Sequence, residues 1–103
     1  MKSQEKLREE IFSLMEIDWV ALHQIVGRFF NSHRREPTRS EFLKALNFIN
    51  DLLNEYEIIC REGPNMVEVK GNGKEITDWI LKMYNEIGYQ KINFRIWFDR
   101  KRD

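Results

Sequence analysis

Residue types that carry out enzyme chemistry are sparse in this chain, which has two histidines and one cysteine among 103 residues. A nucleophilic triad or a metal site brings such residues together with carboxylates or further ligands. His23 falls in a helical pattern and His33 in a polar loop, and neither has a local partner at a suitable spacing. Cys60 lies in an apolar run, where a free cysteine usually behaves as a small buried hydrophobe.

The sequence also gives no support for a phosphate-binding loop or for a catalytic pair of carboxylates. Gly71-Asn72-Gly73 does not have the lysine-and-hydroxyl context of a phosphate-binding loop. With 17 acidic residues in the chain, pairs of carboxylates arise by chance and indicate nothing. We therefore expect no catalytic residue, no metal ligand and no cofactor, and the chain is predicted not to be an enzyme.

Residues typical of protein interfaces are present instead. In the last predicted strand, Trp97 and Arg95 lie opposite the apolar side chains, and Trp and Arg are the types that most often anchor interfaces. Two interpretations of Trp97 stay open, an exposed anchor or a core residue covered by a helix. An acidic run at the junction between the third helix and the next strand could meet a basic partner. The predicted partner-binding residues are Asp51, Glu55, Glu57, Glu62, Arg95 and Trp97.

A nucleic-acid site is the alternative. Three helices followed by a hairpin is the element order of a winged-helix domain, in which the third helix reads the groove. Basic residues cluster before and inside that helix: Arg28, His33, Arg34, Arg35, Arg39 and Lys44. The same helix also carries Asp51 and Glu55, and 17 basic residues balance 17 acidic ones. Because binding to phosphates depends on excess positive charge, nucleic-acid binding is the less favoured hypothesis, and it stays the alternative to a protein partner.

The elements that must position these residues follow from hydrophobic spacing. Helical spacing predicts a first helix over residues 3–15, and Asp18 is a candidate N-cap for a second helix that reaches Phe30. A polar loop then leads to Thr38 and Glu41, whose Thr-x-x-Glu spacing is a capping box. The broad apolar stripe of the helix that begins there predicts the middle of the core.

The second half of the chain changes character. Residues 56–70 are predicted to form a β-hairpin, and a fourth helix follows that ends at Gly88, a candidate C-cap. A last strand is predicted from Ile92 to Phe98, followed by a charged tail. Its alternation would place Ile92, Phe94, Ile96 and Phe98 on one face and Asn93, Arg95, Trp97 and Asp99 on the other.

This order predicts an α+β fold with an N-terminal three-helix group, a small antiparallel sheet of about three strands, and one further helix before the last strand. Residues 1–103 are expected to form a single domain, and no feature specifies an oligomeric state. One cysteine allows no internal disulfide, and no apolar run has the length of a signal peptide or a membrane span. We therefore expect a cytoplasmic protein with no membrane partner.

Part of the chain resembles a known class of proteins. Three segments between Glu41 and Phe98 carry the resemblance, namely EFLKALNFINDLLNEYEIIC, KEITDWILKMYNEIG and INFRIWF. They are similar to small immunity proteins of bacterial contact-dependent growth-inhibition and polymorphic-toxin systems. The resemblance implies a cytoplasmic protein that binds one cognate toxin domain, often a nuclease, and blocks its active site or substrate surface. Immunity proteins against nucleases are often acidic, whereas this chain has a formal net charge of zero.

Overall fold

The computed structural model of the chain describes residues 4–30, 33–34, 36–55 and 58–101. Helices and strands are segregated into layers, which confirms the predicted α+β class. In chain order the elements are α1 (Gln4–Met15), β1 (Val20–Ala21), α2 (Leu22–Val26), a 3-10 turn (Gly27–Phe29), α3 (Arg39–Asn54), β2 (Ile58–Glu62), β3 (Val67–Glu68), α4 (Gly73–Ile87), α5 (Tyr89–Ile92) and β4 (Ile96–Arg100).

The strands form one antiparallel sheet in the order β1-β4-β2-β3. The last strand of the chain is therefore a central strand, paired with β1 on one side and with β2 on the other. Residues directly opposite each other in such a sheet point to the same face. The register places Val20, Phe98 and Cys60 in one row on one face.

The core lies on this face, which we call the inner face. Val20, Cys60 and Phe98 are each at most 1% exposed, and Ile58 and Ile96 on the same face are at most 2% exposed. Their cover comes from the helices, whose apolar stripes include Ile11, Ile25, Phe42, Ile49, Leu52 and Ile80. The predicted broad stripe of α3 is confirmed, since it contributes seven buried side chains.

Two capping boxes fix the starts of the long helices. At α3 the Thr38 hydroxyl accepts the Glu41 N–H at 3.2 Å, and the Glu41 carboxylate accepts the Thr38 N–H at 2.8 Å. The hydrogen bond from Arg34 and the Thr38 N–H hold the pKa of the Glu41 carboxyl at about 2, below its usual range. At α4, Asn72 and Glu75 make the equivalent pair of bonds. The first box was predicted, and the second was not.

The contact between α3 and α4 is close because of one glycine. Gly73 opens α4, and its N–H donates to the Asn54 side chain at 3.0 Å. A Cβ atom at Gly73 would lie 2.5 Å from Asn50 Oδ1 and 2.6 Å from Asn54 Oδ1. The absence of a side chain therefore allows the two helices to meet here.

The prediction of a single second helix from Asp18 to Phe30 is wrong. β1 occupies its first part, and the helix proper has only the five residues of α2. Asp18 does not cap α2, because its carboxylate accepts the N–H of Trp19. The cap is Ala21, whose N–H donates to Gln24 Oε1 at 2.8 Å. Pairing with β4, a partner distant in sequence, outweighs the local helical pattern.

The boundaries of the last strand also differ from the prediction. Gly88, with φ of 87°, ends α4 as predicted, but the chain then enters the short helix α5, which includes Ile92. β4 begins only at Ile96 and extends to Arg100, into the predicted tail. As a result Asn93 is buried and Phe94 is 68% exposed, the reverse of the predicted alternation. No helix in the described ranges has the length and apolarity to cross a bilayer.

Candidate functional site

The second face of the sheet, the outer face, carries the candidate site. The register places Trp97 beside Arg61 and Asp99 beside Ile59 on this face. All four side chains are partly exposed, whereas the inner-face residues of the same two strands, Ile58, Cys60, Ile96 and Phe98, are buried. Trp97 was left open as either an exposed anchor or a core residue covered by a helix. In the structure it lies on the outer face and is half-buried.

The Trp97 indole is held against the hairpin that joins β2 to β3. Its Nε1 donates to the backbone carbonyl of Phe94 at 3.2 Å. It also lies over Gly63, where an added Cβ would approach Nε1 to 3.3 Å. Both contacts restrict the ring, so it presents a fixed apolar surface.

Arg61 and Trp19 complete the centre of the face. The Arg61 guanidinium lies over the Trp19 ring at 5.9 Å, a cation–π arrangement, and its Nη1 donates to the Met66 carbonyl at 3.1 Å. Trp19 immediately precedes β1 and is 42% exposed. We call Trp19, Ile59, Arg61 and Trp97 together the aromatic sheet face.

Further apolar side chains are exposed around the sheet. Ile17 leads into β1 and is 85% exposed, and Val67 lies on the edge strand β3. Phe94 lies just before β4, where its ring meets that of His23 at a centroid distance of 5.5 Å. Each is a large apolar side chain left exposed to solvent.

The predicted acidic run is divided by the structure. Asp51 and Glu55 are exposed at the end of α3, where Glu55 pairs with Arg8 at 3.1 Å. Glu62 lies at the far end of β2, about 13 Å along an extended strand from its first residue. There it pairs with Arg95 at 3.1 Å. Glu57 lies outside the described residues.

The basic residues near α3 mostly have partners within the chain. Arg28 pairs with Glu10 at 3.3 Å, and Arg34 pairs with Glu41 at 2.9 Å. Arg39 donates to the Asn85 side chain at 2.9 Å. Lys44 is exposed on the α3 face that also carries Asp51 and Glu55, because these positions are seven and eleven residues apart. Arg35 lies outside the described residues.

The groups considered for chemistry do not converge. Burial, followed by the charge of Glu62, raises the pKa of the Cys60 thiol to about 12, so the thiol stays protonated near neutral pH. His33 is exposed, whereas His23 packs on Phe94. Within the described ranges, no three His, Cys, Asp or Glu residues are grouped to hold a metal ion.

A groove between α2 and α5 adjoins the face. We call it the α2–α5 groove, and its described lining includes His23, Phe30, Arg34, Tyr89, Asn93 and Phe94. The Asn93 side chain is 6% exposed, and its Oδ1 has no hydrogen-bond partner among the described residues. Burial raises the pKa of Tyr89, an effect that the Asn93 side chain partly offsets. The tyrosine is therefore a neutral hydroxyl in the groove.

Sequence reasoning named Trp97 but not Trp19, Ile59 or Arg61, which the structure places on the same face. Trp19 was assigned to a helix. Ile59 and Arg61 were assigned to a strand, but the sequence did not show which face of the sheet they occupy. The available signal was the run Trp19-Val20-Ala21, in which an aromatic and a β-branched residue favour a strand. Comparison of the chain with protein-family models, with curated proteins and with solved structures gives no match.

Proposed function

We propose that the chain is a cytoplasmic immunity-type inhibitor that binds a cognate toxin domain through the aromatic sheet face and thereby covers the toxin's active site or substrate surface. The observation that carries the proposal is an open sheet face on which two tryptophans and one arginine are held in place. The resemblance of residues 41–98 to immunity proteins supports the choice of a toxin as the partner.

The fixed side chains favour tight binding. Trp and Arg contribute most of the binding energy in many interfaces when a partner buries them. Each rotamer that is ordered before binding removes about 0.5–1.5 kcal/mol of entropic cost from the association. Trp97 and Arg61 are already tied to backbone carbonyls, so the face is organised for a partner in advance.

The charges of the face indicate the partner's chemistry. Its strands carry one cation, Arg61, and two carboxylates, Glu68 and Asp99. Glu68 pairs with Lys70, but both side chains are solvent-exposed, and such pairs are weak. The complementary partner surface is an apolar patch bordered by basic side chains, as on a domain that binds nucleic acid.

Nucleic acid itself is the less favoured occupant. A phosphate backbone laid on the face would meet the carboxylates of Glu68 and Asp99. The winged-helix alternative requires a basic third helix, and there Lys44 shares its exposed face with Asp51 and Glu55. The pairing of Arg28 and Arg34 with carboxylates reduces the positive charge in front of that helix.

The test is a binding measurement with the purified chain and the C-terminal domain of the protein encoded immediately upstream. We expect a 1:1 complex by size-exclusion chromatography with light scattering, and protection of cells that produce the toxin domain. Trp19→Ala should weaken the complex roughly tenfold or more by calorimetry, because it removes an anchor of the face. Leu43→Ala is the matched control, since Leu43 is 36% exposed but lies on α3.

Four results would overturn the proposal. The first is the absence of both a complex and protection. The second is an equal loss of affinity in Leu43→Ala and Trp19→Ala, which would remove the binding site from the sheet. The third is salt-dependent binding of duplex DNA that is abolished by Arg34→Glu, which would favour the winged-helix alternative. The fourth is a dimer of the chain that Trp19→Ala dissociates, since a second copy would then occupy the face.

A further inference from the structure

The two edge strands of the sheet, β1 and β3, differ in what their backbone groups bond to. At β1 the N–H of Ala21 donates to Gln24 Oε1 at 2.8 Å. Just before that strand, the N–H of Trp19 donates to Asp18 Oδ1 at 2.7 Å. A strand that joins a sheet needs free donors and acceptors on the edge that it meets. Local side chains already occupy these two donors, so the β1 edge is a poor site for a further strand.

The β3 edge has free backbone groups. Glu68 lies opposite Arg61 of β2, and the next residue, Val69, donates its N–H to the Cys60 carbonyl at 2.8 Å. Because hydrogen-bonded and non-hydrogen-bonded pairs alternate along an antiparallel ladder, the N–H and C=O of Glu68 point away from β2. Neither group bonds to another of the residues that the structure describes. β3 therefore offers one donor and one acceptor to an added strand.

A groove runs along this edge between β3 and α4, and we call it the β3–α4 groove. Val67 and Val69 line one side of it, and Ile76 and Trp79 line the other. Val67 is 62% exposed, and Trp79 is partly exposed. Because β3 is the last strand in the sheet order, these apolar walls are open at the edge. An added strand would place alternate side chains in the groove.

One carboxylate gives the groove its charge. Glu62 and Glu68 also line it, but each already pairs with a cation of this chain. Glu75 is exposed, its carboxylate accepts the N–H of Asn72, and among the described residues no cation pairs with it. A Cβ atom at Gly71 would lie 3.2 Å from the Glu75 Cβ, so this carboxylate lies where β3 leads into α4. A basic side chain at that end of the groove would complement it.

The register of an added strand follows from these positions. Antiparallel pairing is the more stable orientation, and in it the residue opposite Glu68 exchanges two backbone hydrogen bonds with it. The side chain of that residue lies on the outer face, so its two neighbours point into the groove. One neighbour lies opposite Val69, near Gly71 and Glu75, and the other lies opposite Val67. Because the two strands run in opposite directions, the residue opposite Val69 comes first.

We propose that an extended segment of the partner protein, with the pattern basic-x-apolar, binds antiparallel to β3 as a fifth strand of the sheet. The basic side chain pairs with Glu75, and the apolar side chain packs against Val67 and Trp79. Trp79 lies one helical turn after Glu75, so the two contacts follow the order of the pattern. The inference rests on the proposed function for the source of the segment. Glu68 lies opposite Arg61 of the aromatic sheet face, so a partner on that face adjoins the edge.

The first experiment uses the free chain and the synthetic peptide acetyl-Thr-Lys-Thr-Val-Thr-amide, followed by ¹H–¹⁵N NMR. We expect saturable shifts of the Glu68 backbone amide and of the Trp79 indole N–H. Two matched peptides test the contacts, one with an N-methylated central threonine and one with glutamate in place of lysine. Each should bind roughly tenfold more weakly, because the first lacks the central donor and the second reverses the charge. Equal affinity for the three peptides, or no saturable shift, would overturn the inference without involving the toxin.

The second experiment tests the charge with Glu75→Gln. Glutamine also completes a capping box, so this variant keeps the start of α4 and removes only the carboxylate. We expect the preference for the lysine peptide over the glutamate peptide to fall from roughly tenfold to within about twofold. Glu86→Gln is the matched control, since Glu86 is exposed on the same helix in its last turn. An unchanged preference in Glu75→Gln, or an equal loss in both variants, would contradict the proposed contact.

The third experiment tests the backbone bonds with Glu68→Pro. Proline is tolerated on an edge strand where the N–H faces solvent, so the pairing of β2 with β3 should persist and the melting temperature should stay close to that of the control. The control is Glu68→Thr, which loses the same side chain but keeps the N–H. We expect only the proline variant to lose peptide binding. Equal binding by the two variants would overturn the inference. A dimer of the free chain that only Glu68→Pro dissociates would also overturn it, because a second copy would then occupy the edge.

The complex separates the two proposals. If the partner domain binds Glu68→Pro and Glu68→Thr equally well, the edge inference fails and the function of the sheet face stands. If no complex forms but the free chain discriminates among the three peptides, the proposed function fails and the edge is a site for an extended segment of another protein. If Glu68→Pro and Glu75→Gln weaken the complex while Glu68→Thr and Glu86→Gln do not, both proposals are supported.

Discussion

The two faces of the sheet use the same four strands for opposite purposes. On the inner face, Cys60 and Phe98 lie side by side with almost no solvent exposure. On the outer face, their sequence neighbours Arg61 and Trp97 also lie side by side, but both are partly exposed. Neighbouring residues along either strand therefore point to opposite faces, one into the core and the next towards solvent.

The difference also concerns how the side chains are held. Inner-face residues are fixed by close packing among many apolar neighbours. The outer-face anchors are only partly covered. Each is held by a hydrogen bond to a backbone carbonyl, from Trp97 to Phe94 and from Arg61 to Met66, and by contact with Gly63 or Trp19. Side chains that are ordered without being fully buried are what the proposed interface requires.

Thiol labelling tests the comparison with the largest expected effect. Cys60 on the inner face has a pKa of about 12, against an ordinary value of 9.0, so near neutral pH its reactive thiolate is about a thousandfold rarer. Iodoacetamide should therefore alkylate Cys60 about a thousandfold more slowly than a cysteine placed one residue earlier on the outer face, by Ile59→Cys in a Cys60→Ala background. Comparable rates, with native circular dichroism in both proteins, would show that the inner face is not closed.

Truncation of one aromatic residue on each face gives the next largest effect. Phe98→Ala should lower the free energy of unfolding by about 3–5 kcal/mol, because it leaves a cavity in the core. Trp19→Ala should change it by less than about 1 kcal/mol, since the ring is already 42% exposed. Urea unfolding measures both values. A loss in Trp19→Ala as large as that in Phe98→Ala would assign the outer face to stability rather than binding.

Substitution of two glycines by alanine should change the free energy of unfolding least. It tests the packing of the helices that cover the inner face. Gly73→Ala should destabilise the fold by about 1–3 kcal/mol, because the new Cβ would clash with the Asn50 and Asn54 side chains between α3 and α4. Gly27→Ala is the control, with no atom within 4 Å of the added Cβ and ordinary helical backbone angles. It should be neutral or stabilising by up to about 1 kcal/mol in the same urea assay, and the reverse order would contradict the close helix contact.

Local signals predicted the parts of the fold that depend on neighbours in sequence. The capping box of Thr38 and Glu41 and the helix end at Gly88 both act within one helical turn, and both are present. β1 was missed because two residues carry too little pattern to outweigh a helical stripe, and their partner β4 lies at the other end of the described chain. The start of β4 was misplaced because Ile92 fits a strand alternation as well as it fits the turn of helix α5.

The sequence predicted the candidate site only where the alternation of side chains along one strand decides which face a residue occupies. The alternation in the last strand predicted that Trp97 and Phe98 point to opposite faces of the sheet, and in the structure they do. Trp19 reaches the same face through the pairing of β1 with β4, which no local pattern indicates. The acidic run was continuous in sequence, but β2 is extended and carries Glu62 away from Glu55.

The position of β4 has a consequence for how the protein is made. β1 and β2 do not pair with each other, because β4 lies between them in the sheet. β4 is also the last of the described elements to be synthesised. Closing such a long loop is slow relative to local helix formation, so we expect the helices and the local β2–β3 hairpin to form before β1 and β2 are joined through β4. Trp19 and Arg61 meet only once β4 lies between their strands. An incomplete chain that lacks β4 therefore lacks the assembled aromatic sheet face, so the proposed recognition requires β4 to be in place.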